Sequence, residues 1–405
     1  MGIKLKDIEW IKIKQKFNNE YIIDLKDVIF TEIESLNLPI KKGARIAITA
    51  GSRGIDRIPV VLEAVISKVK QLGGKPFLIP SMGSHGGATA EGQVKILKEL
   101  GITSETVGAP ILSSMEVVKV DNLNNVDNVD NGECNLPVVM DKNAYEADGI
   151  IVVNRIKPHT SFSADIESGI MKMMVVGMGK REQAENIHRF GTKGLKEYLV
   201  PMARKVLETG KIIAGIGIVE NSYDRIFKIK AFKPQDIEEG EKALLKISKD
   251  LMPKLPVDKL DILIVENMGK NISGTGMDTN IIGRLKIHGE PEKDNPSIGR
   301  IIVLDLSPET KGNAYGIGLA DFTTKELVDK IDYNATYTNA ITSTFTERAK
   351  IPIVAKDEEE AFELAAKTLG VQEKDDLRAI RIKNTLELDE MWVTPAVYME
   401  IQSKS

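Results

Sequence analysis

Between residues 45 and 101 the chain twice repeats one unit: a short apolar run, a glycine-rich loop, then an amphipathic stretch. Arg45–Ala50 reads as a buried strand and leads into Gly51-Ser-Arg-Gly54. A helix follows from about Pro59 to Leu72, with Val60, Val61, Ala64, Val65 and Val69 on its apolar side, and Gly73-Gly74 ends it. Pro76–Pro80 is the next strand. After Ser81-Met-Gly-Ser-His85-Gly-Gly, Thr89 or a near neighbour caps a helix that runs to about Leu100. Strand–loop–helix repeated in this way predicts an α/β fold with a mainly parallel sheet. Such sheets gather ligands at the C-terminal ends of their strands, where both loops lie.

The same alternation continues. Ile150–Asn154 is a strand, 192–209 a helix kinked near Pro201, 212–219 a strand and 234–251 a charged helix. Residues 1–40 partly alternate and suggest edge strands. The Asn/Asp-rich run 121–135 reads as a surface hairpin or loop, since its acceptor spacing fits no EF-hand. Pro253-Lys-Leu-Pro256 places a boundary near 255. The expected domains are therefore 1–255 and 256–405, with the strand-like run 392–401 able to return to the first. In the second domain, strands are expected near 262–265, 301–304 and 351–355, and helices near 325–331 and 358–369.

Composition removes several classes of function. A net charge of −4 with scattered basic residues gives no field for nucleic acid. One cysteine, Cys134, excludes intrachain disulfides and thiolate metal clusters. No signal peptide is visible, and no apolar run approaches the roughly 20 residues that span a bilayer. The expectation is a soluble cytoplasmic protein.

Chemistry-bearing residues concentrate in the loops and in 150–188. His85 sits among glycines that leave its side chain unshielded, as a general base near neutral pH or as a loop histidine fixing its own turn. Pro158 stiffens the loop that carries His159, whose alternatives are the same. Lys172 lies in an apolar run of Met and Val, where it either snorkels or, desolvated, becomes a nucleophilic amine. His188 follows sixteen positions later and shares a helix face with Glu185, as a ligand pair or as surface residues. Ser52 and Arg53, between Gly51 and Gly54, form a candidate anion loop that is neither a Walker A motif nor a dinucleotide fingerprint. Lys270, among Gly269, Gly274 and Gly276, is a candidate carboxylate binder or part of an ordinary turn.

Gly83-Ser84-His85-Gly, Pro158-His159, Ser168-Gly169 followed by Lys172, and His188 beyond Gly177–Gly179 together resemble the nickel-pincer lactate racemase family of 2-hydroxyacid racemases and epimerases. The resemblance covers most of the N-terminal half. It implies two α/β domains with the active site at the domain interface. It also implies a nickel-bearing, doubly thiolated pyridinium mononucleotide joined to Lys172, with His188 as the protein ligand of nickel. Ser52, Arg53 and Ser84 would contact the cofactor, and Lys270 the substrate carboxylate. His85 and His159 would be the acid and base for the two faces of a small 2-hydroxy acid. The implied partners are that substrate and the enzymes that make the cofactor. A soft donor set suits nickel, and the cofactor supplies the sulfur that this chain lacks. The chain departs from the family in the loop before Arg53, which has no aspartate. It departs again in a longer His159–Lys172 interval carrying Asp165 and Glu167. Both point to a substrate larger or more polar than lactate, such as a sugar acid. Two other readings compete: a zinc hydrolase with His85, His159 and His188 as ligands and Glu185, Glu167 or Asp165 as base, and a non-catalytic phosphate- or nucleotide-binding protein.

Overall fold

The computed structural model describes residues 3–128, 132–371 and 373–404. The chain divides into two compact units, Asn18–Met252 and a second made of Met1–Phe17 with Pro253–Ser405.

The first unit is built on a five-stranded sheet in the order Lys75–Pro80, Arg45–Ala50, Gly149–Arg155, Ile212–Glu220, Ile226–Phe232. The first four strands are parallel and the last is antiparallel to its neighbour. Alternate residues feed opposite cores. Ala47, Ile150 and Val152 pack with the 170–178 region and the helix Leu199–Glu208, whereas Ile46, Ile48, Ile151 and Val153 pack with helices Leu25–Ser35 and Ile58–Gln71. A sheet covered on both faces needs apolar residues at every position, and the strands accordingly read as unbroken apolar runs. Thr89 caps Ala90–Glu99 by accepting from the Gly92 N–H, as the sequence suggested. The expected hairpin is present as the antiparallel strands Val117–Asn128 and Gly132–Asp141. Its tip, 129–131, lies outside the described residues.

The second unit has a seven-stranded sheet, ordered Ile11–Lys14, Glu390–Val393, Ala379–Ile382, Lys259–Met268, Ser297–Leu306, Phe322–Thr324, Ile353–Ala355. Its five members from Ala379–Ile382 onward are parallel, and Glu390–Val393 is antiparallel to both of its neighbours, Ala379–Ile382 and Ile11–Lys14.

Three local expectations need correction. In place of the edge strands expected over 1–40, the described residues 3–40 hold one edge strand, Ile11–Lys14, and then a helix, Leu25–Ser35. Asp24 caps that helix, and it buries Leu25, Ile29 and Ile33 at four-residue spacing. The 392–401 segment does not return to the first unit. Glu390–Val393 stays in the seven-stranded sheet, and Pro395–Lys404 is a helix whose start takes the proline at its first turn. The exchange runs the other way, because Ile11–Lys14 pairs with Glu390–Val393. The irregularity near Pro201 is a π-helical turn at Gly194–Tyr198, just upstream of a proline that cannot donate to the preceding turn. Among the described residues no helix is long and apolar enough to cross a membrane.

Candidate active site

Three adjacent parallel strands of the first unit, Lys75–Pro80, Arg45–Ala50 and Gly149–Arg155, send their following loops off the same sheet edge. These loops carry His85, Ser52 with Arg53, and His159. The Ser52 hydroxyl lies 2.6 Å from Nδ1 of His85. Gly83 and Gly86 both have positive φ, +61° and +68°. A Cβ on Gly86 would lie 2.5 Å from the Gly92 carbonyl carbon, so the turn beside His85 closes only around glycine. Buried Gln93 holds this turn from below, donating to the carbonyls of Gly83 (2.9 Å) and His85 (3.3 Å). The His85 side chain is exposed on a braced backbone.

The His159 loop is closed by an antiparallel bridge between Lys157 and Ser168. Glu167 is buried inside it. Its carboxylate accepts from the His159 N–H (2.5 Å), the Ala164 N–H (3.1 Å) and the Ser163 hydroxyl (3.4 Å), and pairs with Lys249 at 2.6 Å. The Ser161 N–H donates to Nδ1 of His159 (3.0 Å), and the ring packs on Phe162 at 4.5 Å between centroids. Glu167 is thus a buried organiser of the loop, and Asp165 is exposed.

Lys172 ends a short helix, Ile170–Lys172, that passes directly into a π-helical turn, Met173–Gly177. Such turns concentrate at functional sites. The Asn154 side chain donates to the Gly169 carbonyl (2.8 Å), and buried Glu241 accepts from the Met171 N–H (2.8 Å), fixing the start of this helix. Water still reaches part of the Lys172 side chain, but protein atoms crowd it on most sides. Burial, with a contribution from Arg53, lowers its ammonium to about 8, against a weaker opposing effect of Glu167. His188 is lowered to about 4 by burial and then by the charge of Lys172, and so is a neutral imidazole at pH 7. Arg53 is lowered by desolvation and by the charge of Arg155, although its surface remains accessible. Arg155 itself pairs with Glu220. These mutual effects put Arg53, Lys172, His188 and Glu167 in one electrostatic neighbourhood.

Glu185 does not accompany His188. It is exposed and pairs with Arg181 at 2.6 Å. The residue that sets the His188 helix is Lys180, fully buried at its first position with φ +56°. Its ammonium pairs with buried Asp141 at 2.7 Å and donates to the Pro80 carbonyl (2.5 Å). Sequence reading missed Lys180, Gln93 and Glu241; a lysine directly after Gly177-Met-Gly179 was the one available sign. Lys270 belongs to the other unit. There its ammonium donates to the Gly274 carbonyl (2.6 Å) and lies 4.7 Å from the centre of the Tyr315 ring. Among the described residues no three His, Cys, Asp or Glu side chains gather as a metal site, so His85, His159 and His188 do not form the zinc set weighed above.

A family model described as a domain of unknown function (DUF362) matches residues 49–227, the span that holds Ser52, Arg53, His85, His159, Lys172 and His188. No curated protein matches the chain. Two solved structures resemble it. A lactate racemase apoprotein from Thermoanaerobacterium thermosaccharolyticum has a TM-score of 0.51 at 14% identity, with 91% of this chain and 93% of that one covered. A structural-genomics crystal structure of a protein from Thermotoga maritima has a TM-score of 0.51 at 12% identity, with 87% and 92% covered. At such identities the likeness is one of fold: this chain has the mixed α/β, mainly parallel architecture seen in a lactate racemase apoprotein.

Proposed function

We propose that this chain is a racemase or epimerase of a 2-hydroxy acid and works with a nickel-pincer pyridinium nucleotide carried on Lys172. The observation that carries the proposal is the pair Lys172 and His188. A lysine lowered to about 8 has roughly a tenth of its amine neutral at pH 7, whereas an ordinary lysine has almost none. Beside it stands an imidazole kept neutral to about pH 4. A neutral amine suits acyl attachment, and a neutral imidazole suits coordination of a borderline metal.

These residues fit such a group. Lys172 would hold it covalently and His188 would ligate its nickel, while Arg53, Ser52 and Ser84 would receive its phosphate. When bound, it would supply a reversible hydride acceptor. The chain's own residues would do the rest. His85 and His159 would serve the substrate hydroxyl and the carbonyl it becomes. The apolar packing of Met173 and Met174 behind Lys172 would keep bulk water from the amine. Substrates larger or more polar than lactate, such as sugar acids, suit the longer 159–172 loop. The fold shared with a lactate racemase apoprotein supports the isomerase class.

The test is a peptide mass measurement. Protein produced together with cofactor-synthesis enzymes is expected to carry added mass on the peptide containing Lys172 and to interconvert hydroxyacid stereoisomers, with aldonates ahead of lactate. Active protein with unmodified Lys172 would remove the proposal, and lactate as the best substrate with aldonates inert would remove the sugar-acid preference.

A further inference from the structure

We infer that Glu241 is a positioning residue for Lys172: its carboxylate, brought in from a distant helix through a glycine gap, clamps the start of the short helix that ends in Lys172 and so sets the reactivity of that amine. The inference rests on the reading of Lys172 as the tether given above and names the group that prepares it.

The first amides of a helix have no acceptor within it. In Ile170–Lys172 the cap position is Gly169, which has no side chain to offer one. The acceptor comes from the helix Ile237–Leu251 instead. Glu241 is fully buried there. Its carboxyl accepts from the Met171 N–H at 2.8 Å, and the Ile170 amide also favours its charged form. Glycine makes this approach possible. A Cβ on Gly169 would lie 2.1 Å from one carboxyl oxygen and 3.0 Å from the other, so any other residue would push the carboxylate off the helix start. Glycine inside a strand weakens it and marks a close approach. Ile212–Glu220 has two that serve this contact. A Cβ on Gly215 would lie 3.0 Å from Ile237 and 3.1 Å from Ile170, and one on Gly217 would lie 2.8 Å from Leu244. The strand is thinned where the helix carrying Glu241 and the first residue of the Lys172 helix both press on it.

The residues on either side of this start are anchored separately. Upstream, Asn154 donates to the Gly169 carbonyl at 2.8 Å. Downstream, the π-helical turn Met173–Gly177 rests on the His85 loop, where the Gly83 N–H donates to the Gly177 carbonyl at 3.2 Å. Lys172 sits between these anchors, and the two amides just before it are the ones Glu241 holds. Burying a carboxyl there costs stability, and the amides offset only part of that cost, since burial still raises the group to about 7. A costly group aimed at one helix start is accounted for by what that helix carries.

A clamp acting through the backbone and a charge acting through space have opposite signs at Lys172. Burial lowers the Lys172 ammonium most, Arg53 lowers it further, and Glu167 raises it. His188 is neutral above about pH 4, and the charge that acts on Glu241 itself is that of Glu238. Were Glu241 to act on Lys172 by its charge, its removal would lower the ammonium still more. Release of the clamp instead lets the helix start open, admits water to the amine and raises it toward the ordinary 10.5.

The test uses the full chain prepared without cofactor and pulsed with acetic anhydride between pH 6 and 10, with acetylation of Lys172 followed by peptide mass. The midpoint is expected at about 8 in the parent. In Glu241→Leu, which fills the space and removes the acceptor oxygens, it is expected about one unit higher or more. Glu241→Gln keeps one acceptor oxygen and is expected between the two. Leu244→Ala loosens the packing of the same helix but spares the carboxyl, and is expected to keep the parent midpoint. An unchanged or lowered midpoint in Glu241→Leu overturns the inference. So does an equal rise in Leu244→Ala, which would make the effect one of packing in general. Should Glu241→Leu not fold, Glu241→Gln decides by the same criterion. One unit removes about nine-tenths of the neutral amine at pH 7. Made together with cofactor-synthesis enzymes, Glu241→Leu is therefore expected to carry added mass on the Lys172 peptide at about a tenth of the parent level, and equal loading overturns the inference. A raised midpoint in a chain that never gains the mass removes the proposed function and leaves the clamp standing, so the two failures are separable.

Discussion

A lysine ammonium stripped of its water destabilises the fold that holds it, and so does a carboxyl buried without enough donors. Lys172 is the first case. Its folded value of about 8 lies below its ordinary one, so at neutral pH the unfolded chain holds this proton more readily than the folded chain. Lys172→Met matches the surrounding methionines and removes the penalty. The variant is expected to melt higher than the parent at pH 7 when neither carries cofactor, and to be inactive; a lower melting temperature would mean that the lysine is a structural partner. Glu241 is the second case. It is buried, and its carboxyl accepts from the Met171 N–H, with the Ile170 amide also favouring the charged form. Burial raises it to about 7, against the pull of those two amides. The sign follows from linkage. Between about 4.5 and 7 the folded form keeps a proton that the unfolded form releases, so stability falls as pH rises through that window. The whole effect is at most about 3 kcal/mol. Urea unfolding of Glu241→Gln across pH 4–8 is expected to show a flatter profile than the parent, converging with it at the acid end. A parallel pair of profiles would show that the carboxyl stays ionised.

At the scale of elements, the parts legible in the sequence were those with local punctuation. The 45–101 alternation was readable because both sheet faces are covered, which makes the strands apolar throughout, and because Gly73 and Thr89 mark the helix ends. His85, His159 and Lys172 stood out for the same reason, since glycine, proline or an apolar run frames each one. What braces them was not readable. Gln93 works on a turn ten residues away, Glu241 on a helix start seventy away, and Asp141 on Lys180 across 39 positions, with no spacing rule to connect them. The Asp141–Lys180 pair is the most consequential, because it ties the end of one hairpin strand and the end of Lys75–Pro80 to the first turn of the His188 helix. Removing one partner leaves a buried charge alone, at a cost of about 3–5 kcal/mol. Lys180→Met and Asp141→Asn are each expected to lower the urea midpoint strongly. The double variant is expected to be less damaging than the sum. Strict additivity would show that the two groups do not act as a pair.

At the scale of the molecule, the chain builds two cores from an interrupted sequence, and the interruption carries energy. Ile3, Leu5, Ile8 and Trp10 pack against the core formed by Ile262, Ile264, Ile302, Phe322 and the helix Glu358–Leu369. Ile11–Lys14 then covers the edge of Glu390–Val393, pairing Ile11 with Val393 and Lys14 with Glu390. Lys12 and Lys14 both reach Glu390, at 2.6 and 2.5 Å, but these are exposed pairs that contribute little. The apolar contacts dominate. Four partly buried side chains at about 1 kcal/mol each give a few kcal/mol, and an unpaired, partly apolar strand edge also invites association. Residues 18–252, by contrast, form a continuous unit whose two cores, among the described residues, contain none from 3–17. Deleting residues 1–17 is therefore expected to raise hydrogen exchange in Ala379–Ile382, Glu390–Val393 and Glu358–Leu369 by about tenfold or more, and to promote self-association through the bared edge. Exchange in Arg45–Ala50 and Gly149–Arg155 should stay at the parent level. Equal acceleration in both sheets would show that the N-terminal strand supports the whole chain, and no change in either would show that its packing stores no free energy.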